Sequence, residues 1–164
     1  MNRENVFKGH FQVDKITLDN GVVRECLIKN DGVGALVYDT VKDKYIFVEQ
    51  FRPGVMDKII EIAAGTCDVE GESKKDCMIR EVKEELGYDV DYIECLLSNF
   101  YVSPGYTTEK LTIFYCEVSQ KIGEGGGIDD EDISIIEVSP EELYDYEFND
   151  AKTIIAILLT NKNK

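Results

Sequence analysis

The first part of the chain alternates apolar and polar residues in a way that predicts a small antiparallel unit. Residues 7–28 alternate on both sides of the pair Asn20 and Gly21. An Asn-Gly pair tolerates the positive φ angles of a tight hairpin turn. We therefore expect an N-terminal β-hairpin unit over residues 1–32, followed by a main domain over residues 33–164.

The middle of the chain carries the signals of one helix. Three apolar residues recur at every fourth position, as on the buried face of a helix. Ser73 precedes this stripe with Asp76 three residues later, which resembles a capping box, and Gly87 follows it where a left-handed C-cap is expected. The pattern predicts a helix over residues 74–86.

Apolar runs elsewhere predict the strands of a main sheet and two further helices. The predicted strands cover residues 33–38, 45–51, 59–64, 92–101, 111–118 and 133–138. A helix start is predicted at Ser139, because Pro140 and two glutamates follow it, and a final helix is predicted over residues 151–159. This order of elements predicts an α/β (α+β) sandwich, with a mixed central sheet covered by helices.

Length and charge narrow the classes of function. At 164 residues the chain has the length of one ordinary domain. Its net charge of -15 repels nucleic acid and anionic membranes, so we expect no nucleic-acid partner and no membrane association. The five cysteines contain no C-x-x-C pair, and the N-terminus lacks the apolar run of a signal peptide. The expected compartment is the cytoplasm.

The predicted helix carries a cluster of carboxylates. Glu81 and Glu85 are four residues apart and share a face, with Glu84 at its edge. Like charges at this spacing repel one another, and Mg²⁺ is a hard cation that binds carboxylate and phosphate oxygens. One interpretation is therefore a magnesium site. The alternative is that Arg80 pairs with Glu84 and that the acids face solvent.

The residues around this cluster match a longer motif. After Gly65 and Glu72, the matching positions are Arg80, Glu81, Val82, Glu84, Glu85, Gly87 and Tyr88. The motif closely resembles the Nudix box, in which a glycine loop precedes a helix that carries arginine and glutamates at these spacings. Six residues lie between Gly65 and Glu72, one more than is usual in the family, which indicates an insertion in the loop.

The resemblance implies a fold, an activity and a metal site. Members of the family fold as an α/β/α sandwich and use divalent cations to hydrolyse nucleoside diphosphates linked to another moiety. By resemblance, Glu81, Glu84 and Glu85 would bind Mg²⁺, or Mn²⁺ in its place, together with the backbone carbonyl of Ala64. Arg80 would orient these carboxylates.

Other residues resemble one branch of the family, the ADP-ribose and sugar-nucleotide pyrophosphatases. Pro104, sixteen residues after Tyr88, stands where that branch carries a marker proline. The residues around Arg52, Glu61 and Glu109 also resemble the branch, and with Pro104 they are the candidates for substrate binding. The branch implies hydrolysis of ADP-ribose to AMP and ribose 5-phosphate, with GDP-mannose or another sugar nucleotide as the alternative. It also implies a homodimer whose N-terminal strands reach the partner's site.

The acidic, glycine-rich residues 121–132 resemble a loop that supplies a further carboxylate in this branch. The aligned acids are Asp129 and Glu131, and Glu131 is the first candidate for the general base or an extra metal ligand. The predicted catalytic group is thus Glu131, Asp129, Arg80 and Glu84. A loop that simply faces solvent is the alternative.

Two functions of other classes stay open. A non-catalytic Nudix-fold sensor would bind a nucleotide without hydrolysing it, and an acidic interaction domain would need no metal. A histidine-based nucleophilic mechanism has little support, because His10 is the single histidine and lies far from these motifs along the chain.

Overall fold

The computed structural model of the chain describes residues 1–127 and 132–161. Within these residues the chain forms a three-stranded sheet at the N-terminus and a seven-stranded main sheet. The first sheet consists of β1 (Asn2–Lys8), β2 (Gln12–Thr17) and β3 (Val23–Ile28), paired antiparallel in that order. The predicted hairpin is the pair β2 and β3.

Strand β1 is an addition to the predicted hairpin. All of its residues are exposed, so it has no buried face and leaves no clear alternation of apolar and polar positions in the sequence. The turn that was predicted between β2 and β3 is present. Gly21 has a φ of 80° and donates its N–H to the carbonyl of Leu18 at 2.9 Å.

The main sheet is mixed, as predicted. Its strands are β4 (Gly32–Asp39), β5 (Lys44–Arg52), β6 (Asp57–Glu61), β7 (Ala63–Thr66), β8 (Tyr88–Tyr101), β9 (Lys110–Lys121) and β10 (Ile133–Val138). Strands β4 and β9 are parallel and their neighbours are antiparallel, in the order β10-β5-β4-β9-β8. Strand β6 pairs with β5, and β7 pairs with β4.

The single strand predicted over residues 59–64 is wrong, because the chain changes partner at Ile62. Strands β4 and β5 pair over three residues next to their connecting turn and then separate, and β6 and β7 pair with their separated parts. Ile62 is fully buried, and its N–H donates to the hydroxyl of Thr153 at 2.9 Å. The exchange places Glu61 and Ala64 on either side of this point.

The predicted helix over residues 74–86 has two parts. Helix α1 (Lys74–Glu81) begins at Ser73, whose hydroxyl accepts the Asp76 N–H at 3.1 Å, and a π-helical turn (Val82–Leu86) continues it. Gly87 ends the turn in the left-handed conformation that was predicted, with φ 76°. The second helix, α2, is Ala151–Asn161, close to its predicted bounds. In the described residues, no helix has the length and apolar character needed to cross a membrane.

The helix predicted to begin at Ser139 is wrong. Residues 140–145 form consecutive turns. Ser139 caps them as expected, since its hydroxyl accepts the Glu142 N–H at 3.4 Å and the Glu142 carboxylate accepts the Ser139 N–H at 3.2 Å. The buried side chain of Leu143 packs this segment against the sheet, and the turns do not continue into a regular helix.

Two hydrophobic cores lie on opposite faces of the main sheet. On one face, Met78 and Val82 of the first helical segment pack against strand residues that include Val33. On the other face, Ala156 of α2 packs in a cluster with Phe47. A sheet between helical layers on both faces confirms the predicted α/β/α sandwich.

Candidate active site

A cleft of about 720 Å³ opens at one end of the main sheet. It lies between the starts of β4 and β9, the ends of β5 and β8, the π-helical turn and the start of α2. Most of the residues proposed from the sequence line it. They are Arg52, Glu61, Ala64, Arg80, Glu81, Glu84, Glu85 and Glu109.

The carboxylates of the helix lie against the backbone of β7. Glu85 is 5% exposed, and one of its oxygens accepts the Ala64 N–H at 3.0 Å. Glu81 lies over Gly65, where an added Cβ would be 1.9 Å from the Glu81 Cδ atom. A side chain at position 65 would therefore displace this carboxylate. The glycine of the motif leaves room for the end of the Glu81 side chain against β7.

Arg80 is surrounded by glutamates. Its Nη1 atom is 2.7 Å from Glu81 and 2.9 Å from Glu84. Its Nε and Nη2 atoms each donate to Glu72 at 3.1 Å, in the two-pronged geometry that arginine offers to a carboxylate. The predicted pairing of Arg80 with Glu84 is present, but Glu81 and Glu84 have side chains that are 12% and 28% exposed. The acids therefore line the cleft instead of facing open solvent.

These contacts shift the pKa values of the charged groups. The hydrogen bonds from Arg80 hold the pKa of Glu72 below its ordinary value. The hydrogen bond to Glu72, together with Glu81 and Glu84, raises the pKa of Arg80 despite its burial. The extra loop residue before Glu72 leaves this pairing intact, because Glu72 still reaches the arginine.

A second ion-paired group lies across the cleft. Arg52 Nε is 3.0 Å and 3.1 Å from the two oxygens of Glu61, which is 2% exposed. Lys152, in the first turn of α2, is 3.0 Å from Glu61 and 3.1 Å from Asp150. Burial lowers the pKa of Arg52, but the hydrogen bonds and charge of Glu61 outweigh it, so the net shift is upward. Arg52 therefore stays charged at neutral pH.

The remaining predicted residues lie in different places. Glu109 lines the cleft and pairs with Lys29 at 2.6 Å. Pro104 is exposed in the turn between β8 and β9 and is not among the residues that line the cleft. Asp129 and Glu131 lie outside the described residues.

Four charged residues of the cleft could not be identified from the sequence: Lys29, Asp68, Asp150 and Lys152. Asp68 lies in the loop between Gly65 and Glu72, and the other three stand outside the motifs and reach the cleft through tertiary contacts. Asp150 carried one local signal, because it caps α2 by accepting the Thr153 N–H at 2.9 Å. An aspartate immediately before a predicted helix points to that role, and it does not reveal what the helix approaches.

The residues of the cleft fit a divalent metal ion by their chemistry. Among the described residues that line it, seven are acidic and four are basic, so a diphosphate would meet a net negative surface. Mg²⁺ prefers carboxylate and carbonyl oxygens, and the space over Gly65 already holds the Glu81 carboxylate beside Ala64.

Within the cleft, the three carboxylates have different contacts. In the described residues, no group of three or more histidine, cysteine, aspartate or glutamate side chains is placed to hold a metal ion. Glu81 and Glu84 contact Arg80, and Glu85 contacts the Ala64 amide. Helical spacing thus brings the three residues to one cleft.

The sandwich fold and the carboxylate helix in its cleft define a Nudix-type hydrolase. The comparison with known families agrees, because the NUDIX domain matches residues 29–157. The chain belongs to this family, and the predicted Nudix hydrolase is confirmed.

Similar proteins cover nearly the whole chain. A methanol dehydrogenase activator of Bacillus methanolicus is 32% identical over 94% of this chain and 87% of its own length. A GDP-mannose pyrophosphatase of Escherichia coli strain K12 is 31% identical over 94% of this chain and 87% of its own length. The crystal structure of an ADP compounds hydrolase is similar in fold, with a TM-score of 0.80 and 23% identity over 99% of this chain and 91% of that chain.

We predict that Gly65→Ala weakens metal binding at the helix, because the new methyl group would occupy the place of the Glu81 carboxylate. Disturbing the groups that position a metal ligand typically costs about ten- to a hundredfold in affinity. Titration with Mn²⁺, followed by electron paramagnetic resonance, measures the effect. Gly54→Ala is the control, since nothing lies within 4 Å of an added Cβ there. Equal Mn²⁺ affinity in the two variants would contradict the assignment.

Proposed function

We propose that this protein catalyses Mg²⁺-dependent hydrolysis of the pyrophosphate bond in a nucleoside diphosphate linked to a sugar. One observation carries the proposal: a single cleft holds the carboxylates of the Nudix helix on one side and Arg52 and Lys152 on the other. Carboxylates can gather divalent cations, and the two cations can contact phosphate oxygens. A diphosphate needs both kinds of group, because its hydrolysis requires neutralised oxygens and a positioned water.

The charged residues of the helix have two roles in this proposal. Glu81, Glu84 and Glu85, with the carbonyl of Ala64, would hold Mg²⁺ or Mn²⁺. The ion, when bound, would neutralise phosphate charge and lower the pKa of a bound water. Arg80 orients the carboxylates through the contacts that it makes with Glu81 and Glu84.

The opposite side of the cleft supplies the phosphate-binding groups. Arg52 has a side chain that is 38% exposed, so its guanidinium can meet a ligand while it stays bound to Glu61. Glu61 in turn contacts Lys152, which ties the position of the arginine to α2. Glu109 is a further candidate for substrate contact from the start of β9. For the general base, we retain Glu131 ahead of Asp129 as a prediction from the resemblance.

The substrate belongs to the class of ADP-ribose and sugar nucleotides. The residues around Pro104 resemble those of ADP-ribose pyrophosphatases, which favours ADP-ribose as the substrate. Similar proteins that are GDP-mannose pyrophosphatases, at 31% identity in Escherichia coli and 33% in Pectobacterium atrosepticum, give GDP-mannose equal standing. We therefore propose these two substrates for direct comparison.

We expect a Mg²⁺-dependent release of AMP from ADP-ribose or of GMP from GDP-mannose, and loss of that release when EDTA removes the metal. Chromatography of the nucleotide products over time measures the rate for each substrate. The melting temperature of the protein is measured with the same ligands. A ligand that raises the melting temperature without being hydrolysed would support the non-catalytic sensor instead.

Glu85→Gln should lower the rate by several orders of magnitude while the fold survives, because a neutral amide is a much weaker ligand for a hard cation. Circular dichroism checks the fold, and product formation at saturating Mg²⁺ gives the rate. Glu141→Gln is the matched control, since Glu141 is exposed and lies outside the cleft. If both variants kept the wild-type rate, the assigned role of Glu85 would be wrong.

We also propose that the chain forms a homodimer through its N-terminal sheet. Strand β1 is an edge strand whose residues are all exposed. Val6, Phe7, Phe11 and Val23 on this unit are 46–58% exposed. An open strand edge with apolar side chains is a template for pairing with another chain. In such a dimer the N-terminal unit would reach toward the partner's cleft.

Sedimentation equilibrium should give twice the 18.6 kDa mass of the chain. The double variant Val6→Asp and Phe7→Asp should shift the mass to that of a monomer, because buried charge opposes association. Val41→Asp is the control, since Val41 is 73% exposed in the turn between β4 and β5. A monomeric wild type would exclude this arrangement.

A further inference from the structure

The residues that follow β9 lie against the end of the Nudix helix. We call residues 123–127 the glycine segment, because four of its five residues are glycine. The Gly126 N–H donates to the Glu85 carbonyl at 2.7 Å, and the Gly127 N–H donates to the Glu84 carbonyl at 3.2 Å. The Gly123 N–H donates to the Gly87 carbonyl at 3.0 Å. The segment thus bonds to the backbone of two predicted metal ligands.

The contact is so close that side chains are excluded on both sides. A Cβ added to Gly125 would lie 2.6 Å from the Glu85 carbonyl oxygen, and one added to Gly87 would lie 2.3 Å from the Gly123 carbonyl oxygen. Gly125 also has a φ of +73°, in the left-handed region that favours glycine. The glycine at 125 is therefore required by its approach to the helix as well as by its own backbone.

These bonds satisfy groups that a helix leaves unpaired. The last four carbonyls of a helix have no partner within it, and here the carbonyls of Glu84 and Glu85 are among them. They lie in the π-helical turn (Val82–Leu86), which is wider than an α-helical turn and is held from outside by the glycine segment. The direction in which Glu84 and Glu85 project depends on the pitch of this turn.

We propose that the glycine segment is a positioning element for the metal-binding carboxylates of Glu84 and Glu85. Its amides fix the last turn of the helix, and Gly125 is the residue that allows them to reach it. This inference rests on the proposed function, because it assigns the two glutamates to a divalent metal. The segment itself touches neither metal nor substrate.

Gly125→Ala tests the proposal. It should raise the Mn²⁺ concentration needed for half-saturation, measured without substrate, by roughly tenfold, which is the usual effect of disturbing groups behind a metal ligand. Gly21→Ala is the matched control, because Gly21 has a φ of +80° but nothing within 4 Å of an added Cβ. The proposal is supported if both variants lose similar thermal stability and only Gly125→Ala changes the Mn²⁺ affinity. Equal Mn²⁺ affinity in the two variants would overturn it.

The wild-type protein gives a second test that does not depend on how the variant folds. If the glycine segment stabilises the metal site, metal binding must stabilise the segment in return. Binding of Mg²⁺ should therefore slow hydrogen exchange at the amides of Gly126 and Gly127. The Gly21 amide, bonded to Leu18 in a remote turn, is the internal reference. Unchanged protection of the two amides relative to Gly21, at saturating Mg²⁺, would overturn the proposal. Wild-type protein that bound no divalent ion at all would instead overturn the proposed function.

Discussion

The site depends on the attraction between Arg80 and three glutamates. Carboxylates one helical turn apart repel one another, and the repulsion grows as the surrounding dielectric falls. The guanidinium offsets this repulsion at Glu72, Glu81 and Glu84 simultaneously. The helix can therefore carry its acids into a cleft without a large penalty. The same contacts bring Glu81 and Glu84 to one guanidinium group, and a metal ion in the proposed site would compete with Arg80 for their oxygens.

The sheet explains why cations face this acidic helix. Because β4 and β5 separate after a short pairing, β6 and β7 fill the gap, and the chain exchanges partner at Ile62. Glu61 ends one strand and holds Arg52 and Lys152, while Ala64 belongs to the next strand and meets Glu85. The exchange thus places Glu61, which contacts the cations, and Ala64, which contacts the acidic helix, three positions apart along the chain in one cleft.

The parts of this arrangement that depend on local periodicity could be predicted from the sequence. The apolar stripe, Ser73 and Gly87 gave the helix and its ends, because capping and burial act over one or two turns. The π-helical turn and the exchange at Ile62 could not be predicted, since each depends on contacts with distant segments. The place of Lys152 in the cleft could not be predicted either, because its partner Glu61 is far away in sequence.

The loop insertion shows which constraint the motif imposes. A one-residue change before Glu72 would matter if loop length alone set the position of its carboxylate. Glu72 instead meets both Nε and Nη2 of Arg80, and this two-pronged contact determines where the carboxylate lies. Gly71, with φ +81° and nothing within 4 Å of an added Cβ, directly precedes Glu72. The fixed spacing is therefore needed along the helix, where Arg80 and the glutamates share one rigid element, and it can vary in the loop that leads to it.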